Sequence, residues 1–169
     1  MATVKVLEKI MKANDAWAEE TRRILGEFGI LCVNLIGSPG SGKTTLLERS
    51  IPALGNPKTI AVIEGDLATS RDADRIGECG VDSVQVTTGT ACHIGSHWVR
   101  QAMEQIGLEG RRILFVENVG NLVCPAQFDI GEHAKVAFVS VPEGDEKPLK
   151  YPLLFQQSRL ALLTKTDLI

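Results

Sequence analysis

Thr90 to His97, "TACHIGSH", holds two of the chain's three histidines and one of its four cysteines. Thiolate and imidazole together suit Zn²⁺ in a tetrahedral site or Ni²⁺ in a planar one, and disfavour Mg²⁺ or Ca²⁺. On a helix, His93 and His97 at i and i+4 would share one face, and Cys92 would reach the same point only from the first turn. The same spacing alone also fits an ordinary helix. Cys124, in "NLVCPA" just ahead of a proline, is the outside thiolate that would complete a set. Three or four ligands per chain leave room for a site shared across a dimer.

A second constellation handles phosphate. Gly37-Ser38-Pro39-Gly40-Ser41-Gly42-Lys43-Thr44 satisfies G-x-x-x-x-G-K-[ST], with the apolar run "LCVNLI" before it and helix-forming "TLLERS" after it. The glycines turn backbone N–H groups toward phosphate oxygens, Lys43 brings a point charge, and Thr44 offers a hydroxyl to Mg²⁺. Two acids follow at the ends of apolar runs: Asp66 in "IEGD" and Glu117 in "FVENVG". Either can hold Mg²⁺ or its water, and Gly120 can lend an N–H to a γ-phosphate. For each acid alone an ordinary strand end is the alternative. "LLTKTD" carries the T-K-x-D of Thr164 to Asp167, close to the N-K-x-D whose Asp reads guanine; Lys165 and Asp167 fit it, and Thr164 departs.

These residues need a frame. Apolar runs at 31–36, 59–64, 83–86, 112–118, 135–141 and 159–164 alternate with helix-length segments, which predicts an α/β fold with a mostly parallel sheet covered on both faces. Residues 1–28 carry Leu7, Ile10, Met11, Trp17, Ile24, Leu25 and Phe28 at helical spacing, predicting an amphipathic helix broken near Asn14-Asp15 and ended by Gly26 and Gly29. Its apolar stripe either packs on the core or docks a partner. Cys32 reads as a core residue, Cys79 as a helix-end thiol, and His133 as a surface residue.

Composition narrows the partners. The chain has 169 residues, 44% of them hydrophobic, enough for one core and one domain over 1–169, with 1–28 as its N-terminal helix and 29–169 as the nucleotide- and metal-binding part. A net charge of −3 with interspersed signs argues against nucleic acid and a membrane surface as partners. The first residues mix charge throughout and resemble neither a signal peptide nor a membrane span, so a cytoplasmic location is expected, with cysteines as thiols or ligands rather than disulfides.

"NLIGSPGSGKTTLLE", "IEGDLATSRDADRI", "TTGTACHIGSH", "ENVGNLVCPAQFDIGEH" and "VPEGDEKPLKYP" together closely resemble the hydrogenase nickel-incorporation GTPases, the HypB family, over nearly the whole chain. The urease accessory GTPases share the phosphate loop but use a Cys-Pro-His metal motif absent here. The resemblance implies a P-loop NTPase fold and a GTP-hydrolysing nickel metallochaperone that works as a homodimer on a [NiFe]-hydrogenase large-subunit precursor. It implies a zinc-containing accessory partner of the HypA type at the N-terminal helix. It assigns GTP/GDP with Mg²⁺ to the phosphate loop, and extends the nucleotide contacts to Thr45 and Asp72. Cys92, His93 and Cys124 match the family's Ni²⁺ or Zn²⁺ ligands, and His97 matches an additional histidine of some members.

The departures are specific. The N-terminal cysteine motif and histidine-rich tract of many members do not occur, so no second metal site is expected at that end. Thr164 in place of Asn is expected to weaken a loop-bracing hydrogen bond. The family fold continues past the position of Ile169 with the loop that closes over guanine, so either the chain is a shortened form or its base pocket is incomplete. Two other functions compete: a metal-storage module with an inactive nucleotide fold, and a small-molecule kinase. The paired arginines, Arg22-Arg23 and Arg111-Arg112, lie in no lid-like segment. No water-positioning Gln or arginine finger stands out, so hydrolysis is expected to be slow.

Overall fold

A computed structural model describes the backbone of residues 2–66 and 71–168 and the side chains of residues 8–66 and 74–168. In chain order the elements are α1 (Ala2–Phe28), β1 (Leu31–Gly37), α2 (Lys43–Ala53), β2 (Ile60–Asp66), α3 (Arg71–Glu78), β3 (Asp82–Thr87), α4 (Ser96–Ile106), β4 (Ile113–Glu117), α5 (Cys124–Gln127), β5 (Ala134–Ser140), α6 (Lys147–Lys150), α7 (Pro152–Gln157) and β6 (Leu160–Thr164). Among the described residues the six strands form one parallel sheet in the order β3-β2-β4-β1-β5-β6. All six apolar runs of the sequence are strands of it.

The strands are apolar on both sides because both sides are covered. Along β2, Ile60 and Val62 pack with Leu47 and Ile51 of α2 and Ile76 of α3. Their neighbours Ala61 and Ile63 pack with Leu25 of α1 and Val99 and Met103 of α4. The two-residue period of a strand thus distributes one run between two helical layers. β1 pairs with β4 on one side and β5 on the other, so the loops leaving β1 and β4 emerge side by side at the carboxyl edge of the sheet. That is where an open parallel sheet holds its ligand.

α1 runs without interruption through Asn14 and Asp15, against the expected break, and packs along α4. Asparagine is a poor residue for a helix interior because its side chain competes for nearby backbone groups. Here that side chain is spent on α4 and on a distant turn, so it does not compete with α1. The helix also passes Gly26 and stops at Phe28, where Gly29 N–H bonds to Gly26 O and Ile30 N–H to Leu25 O. Ala18, Thr21 and Leu25 are buried, while Ile10, Met11, Trp17 and Phe28 are exposed. No helix among the described residues is long and apolar enough to cross a membrane.

Candidate functional site

β1 ends in Gly37 and the phosphate loop turns from it into α2. Gly42 caps that helix at φ +94°, a left-handed conformation that residues with a Cβ rarely adopt. Lys43 is buried, with its ammonium against the carbonyls of Ser38 (3.3 Å) and Gly37 (3.5 Å). Thr44 Oγ1 donates to Glu117 Oε1 at 2.8 Å, so the first turn of α2 meets the end of β4. A cleft of about 550 Å³ opens there, lined by Thr44, Asp66, Arg75, Glu117, Gly120 and Lys165. Pro39, Gly40 and Thr45 also reach it, whereas Gly37, Ser38 and Ser41 form the loop behind it. A loop of N–H groups, Lys43, the Thr44 hydroxyl and the carboxylates of Glu64, Asp66 and Glu117 on one cleft fit a nucleotide polyphosphate with its divalent cation.

Thr164, where the family pattern has Asn, still makes a bracing contact. Its Oγ1 donates to Ser41 O at 2.7 Å, so the threonine braces the phosphate loop from β6. A hydroxyl on the shorter side chain reaches because the strand end sits directly behind Gly42, whose added Cβ would lie 3.8 Å from Thr164 Oγ1. Lys165 next to it adopts φ +56°, a strained position of the kind that collects at binding sites. Asp167 stands exposed on the short turn Thr166–Leu168, outside the residues that line the cleft. The side chain of Asp72 lies outside the described residues.

The octet is not the helix that its spacing suggested. Residues 88–95 form an irregular loop and α4 begins only at Ser96. The reason is tertiary: Asn118 Oδ1 takes the N–H of Ile94 at 3.0 Å, a donor that a helix would have pointed along its own axis. His93 and His97 therefore share no helical face. Cys92, His93 and Cys124 do converge, with one ligand atom of each within 4.8 Å of the others, the one such group of three among the described residues. His97 instead leans over Trp98, ring centroids 4.6 Å apart.

The structure joins the Sγ atoms of Cys92 and Cys124 as a disulfide, their Cα atoms 6.2 Å apart, where the sequence suggested free thiols. In that form neither sulfur is a thiolate. Reduction leaves two sulfurs and the His93 ring at one point, and their soft donor chemistry fits Ni²⁺ or Zn²⁺. The His93 ring stacks on Phe128 at 4.1 Å. Burial, reinforced by the charge of His97, holds His93 below the ordinary histidine range and favours the neutral ring a metal requires.

The sequence profile described as "CobW/HypB/UreG, nucleotide-binding domain" matches residues 31–169. The hydrogenase maturation factor HypB of Azotobacter chroococcum mcd 1 is 52% identical over 98% of this chain and 54% of its own length. The crystal structure of HypB from Helicobacter pylori in complex with nickel superposes with a TM-score of 0.85 at 41% identity, covering 92% of this chain and 74% of that one. The chain belongs to the HypB family. HypB from Archaeoglobus fulgidus, at 37% identity, also superposes with a TM-score of 0.85 over 93% of this chain and 76% of that one. The chain spans about half the length of curated HypB relatives such as the Azotobacter protein.

Within this HypB-family fold, several residues at the site were not singled out by the sequence. Asn118 is buried, accepts from Ile94 N and Val119 N at 3.0 Å each, and donates to Asn34 Oδ1 at 3.2 Å. Asn34 in turn donates to Glu132 at 3.2 Å. Burial pushes the Glu132 carboxyl up despite the nearby Lys135. Arg75 reaches the cleft rim and is held by both oxygens of Glu48 at 2.8 and 2.7 Å. The only local signal was an asparagine directly after Glu117, and nothing in the sequence tied it to a loop 24 residues away.

Proposed function

We propose that this chain is a GTPase that serves as a nickel metallochaperone in the maturation of [NiFe]-hydrogenase, with GTP hydrolysis timing release of the metal. The observation that carries the reading is Ile94, one residue after His93. Its N–H is held by Asn118, which follows Glu117 at the nucleotide cleft. Its side chain is fully buried, and a Cβ added to Gly65 would lie 2.5 Å from Ile94 Cδ1. One loop carrying candidate metal ligands is thus clasped by both acidic loops of the cleft, beside Glu117 and beside Asp66.

In this reading the phosphate-loop N–H groups and Lys43 bind the β- and γ-phosphates, and Asp167 with Lys165 selects guanine. Thr44 and Asp66, with Glu117 hydrogen-bonded to Thr44, would hold Mg²⁺, whose charge would neutralise the phosphate oxygens. Gly120 senses the γ-phosphate: a Cβ there would lie 2.6 Å from Pro39 Cγ, so the two loops touch backbone to ring. A change at Gly120 is carried along the same short segment to Cys124. Cys92, His93 and Cys124 carry Ni²⁺ or Zn²⁺ as cargo, and His97 takes part only when the loop rearranges. Residues 1–169 act as one domain, 29–169 holding both sites and 1–28 offering exposed Ile10, Met11 and Trp17 to a HypA-type zinc protein. A homodimer, a hydrogenase large-subunit precursor as recipient and a cytoplasmic location complete the proposal.

The test is metal binding to reduced protein loaded with GDP or with a non-hydrolysable GTP analogue, with phosphate release from GTP measured without an acceptor. Slow release and a difference of about 1–3 kcal/mol in Ni²⁺ or Zn²⁺ binding between the two states are expected. No release, with equal affinities and equal mass in both states, leaves only a storage module. Release that requires a second substrate points to a kinase.

A further inference from the structure

We propose that Asn14, in the middle of α1, is a positioning residue for the metal cluster: it fixes the start of α4 and the Phe128-Asp129 turn to α1, and so sets the frame in which His93 is presented. The inference rests on the reading of Cys92, His93 and Cys124 as metal donors.

α4 starts without a cap of its own, because its N-cap position is Gly95, which has no side chain to accept from the exposed N–H groups of the first turn. Asn14 supplies that acceptor from another helix. Its Oδ1 lies 3.1 Å from Ser96 N, and Ser96 Oγ lies 2.7 Å from Asn14 O and 2.9 Å from Asn14 Oδ1. Ser96 is fully buried, so these bonds have no water to replace them. The other end of the same amide donates from Nδ2 to Asp129 O at 2.7 Å.

Both segments so held border His93. Ser96 is three residues after it, and Phe128, next to Asp129, stacks on its ring. One side chain therefore closes a ring of contacts from α1 through α4 and His93 to Phe128 and back. Arg22 adds a second tie from α1 by pairing with both carboxylate oxygens of Asp129 at 2.8 and 2.7 Å. That pair is solvent-exposed and contributes little. An asparagine has no reason of its own to sit in a helix interior, and alanine would serve α1 better. What Asn14 does is done outside its own helix.

The experiment uses reduced protein and Co²⁺ as the probe, because its sulfur charge-transfer and d–d bands report ligand geometry as well as affinity. Asn14→Ala and Asn14→Gln are compared with wild type, and Cys92→Ala is run beside them. The Gln variant keeps the amide but places it one methylene too far, which guards against a folding failure of the Ala variant. Both are expected to bind Co²⁺ about 5-fold more weakly or worse, the loss corresponding to one helix cap, with altered d–d bands and unchanged GDP affinity. Co²⁺ affinity and spectrum equal to wild type in both variants, with binding lost in Cys92→Ala, would overturn the role of Asn14 and leave the metal site standing. Undiminished binding in Cys92→Ala would instead remove the metal reading, and this inference with it.

Discussion

Replacing Asn118 by alanine tests the joint between the two sites most directly. The side chain is 1% exposed and makes three hydrogen bonds: it accepts from Ile94 N and Val119 N and donates to Asn34 Oδ1. At about 1 kcal/mol net for each neutral intramolecular bond, the loss is about 3 kcal/mol. Equilibrium urea unfolding of the nucleotide-free protein reads that number as a shift in midpoint at constant slope. Asn118→Asp separates the parts. It keeps both accepted bonds but sets a carboxylate oxygen against Asn34 Oδ1, which can turn its amide only by giving up Glu132. Metal affinity in the GDP and GTP-analogue states is then measured for both variants, and the difference between states is expected to collapse in Asn118→Ala. A stability loss under about 1 kcal/mol, or a nucleotide-dependent difference as large as wild type, would refute the assignment of Asn118 as the joint.

Thr164→Ala removes the brace on Ser41 O and is expected to weaken GDP binding about 5-fold, the equivalent of one hydrogen bond, as read by calorimetry; equal affinity would mean the loop holds itself. Gly120→Ala forces a methyl within 2.8 Å of Pro39 N, so affinity for a GTP analogue should fall at least about 10-fold while the reduced protein still binds metal. Oxidised protein, with Cys92 and Cys124 joined, should bind neither Ni²⁺ nor Zn²⁺, and reduction should restore binding; metal uptake by fully oxidised protein would exclude the two sulfurs as ligands.

Six strands and the phosphate loop could be read from local pattern because each is determined locally: an apolar run, a glycine-lysine loop, a following helix. The N-terminal helix was legible in type from its apolar spacing, but not in its continuity through Asn14 and Asp15. What the pattern misjudged was governed by distant partners. Asn14 looked like a helix breaker because its hydrogen bonds to Ser96 and Asp129, 82 and 115 residues away, are invisible to a local window. The octet looked helical because histidines at i and i+4 are neighbours on a helix, and the acceptor that unwinds it, Asn118, lies on another strand's end. That Thr164 still reaches the phosphate loop, donating to Ser41 O, depends on a partner 123 residues away that no local window shows. Cys92 and Cys124 were paired as ligands from their chemistry, and their proximity in the fold agrees, although the structure joins them to each other.

The joining of Cys92 to Cys124 also has a mechanical meaning. The two lie 32 positions apart, and all of α4 and β4 falls between them. Any bridge across that pair, whether sulfur to sulfur or through a shared cation, ties a knot in the unfolded chain and removes roughly 4 kcal/mol of its loop entropy. α4 is the helix on which α1 rests, and β4 is an interior strand of the sheet. The closed loop therefore spans the middle of the molecule rather than its rim, and opening it lowers stability by returning entropy to the unfolded chain. Reduced protein without an ion at this pair is accordingly expected to resist urea and proteolysis less well than protein in which the pair is bridged.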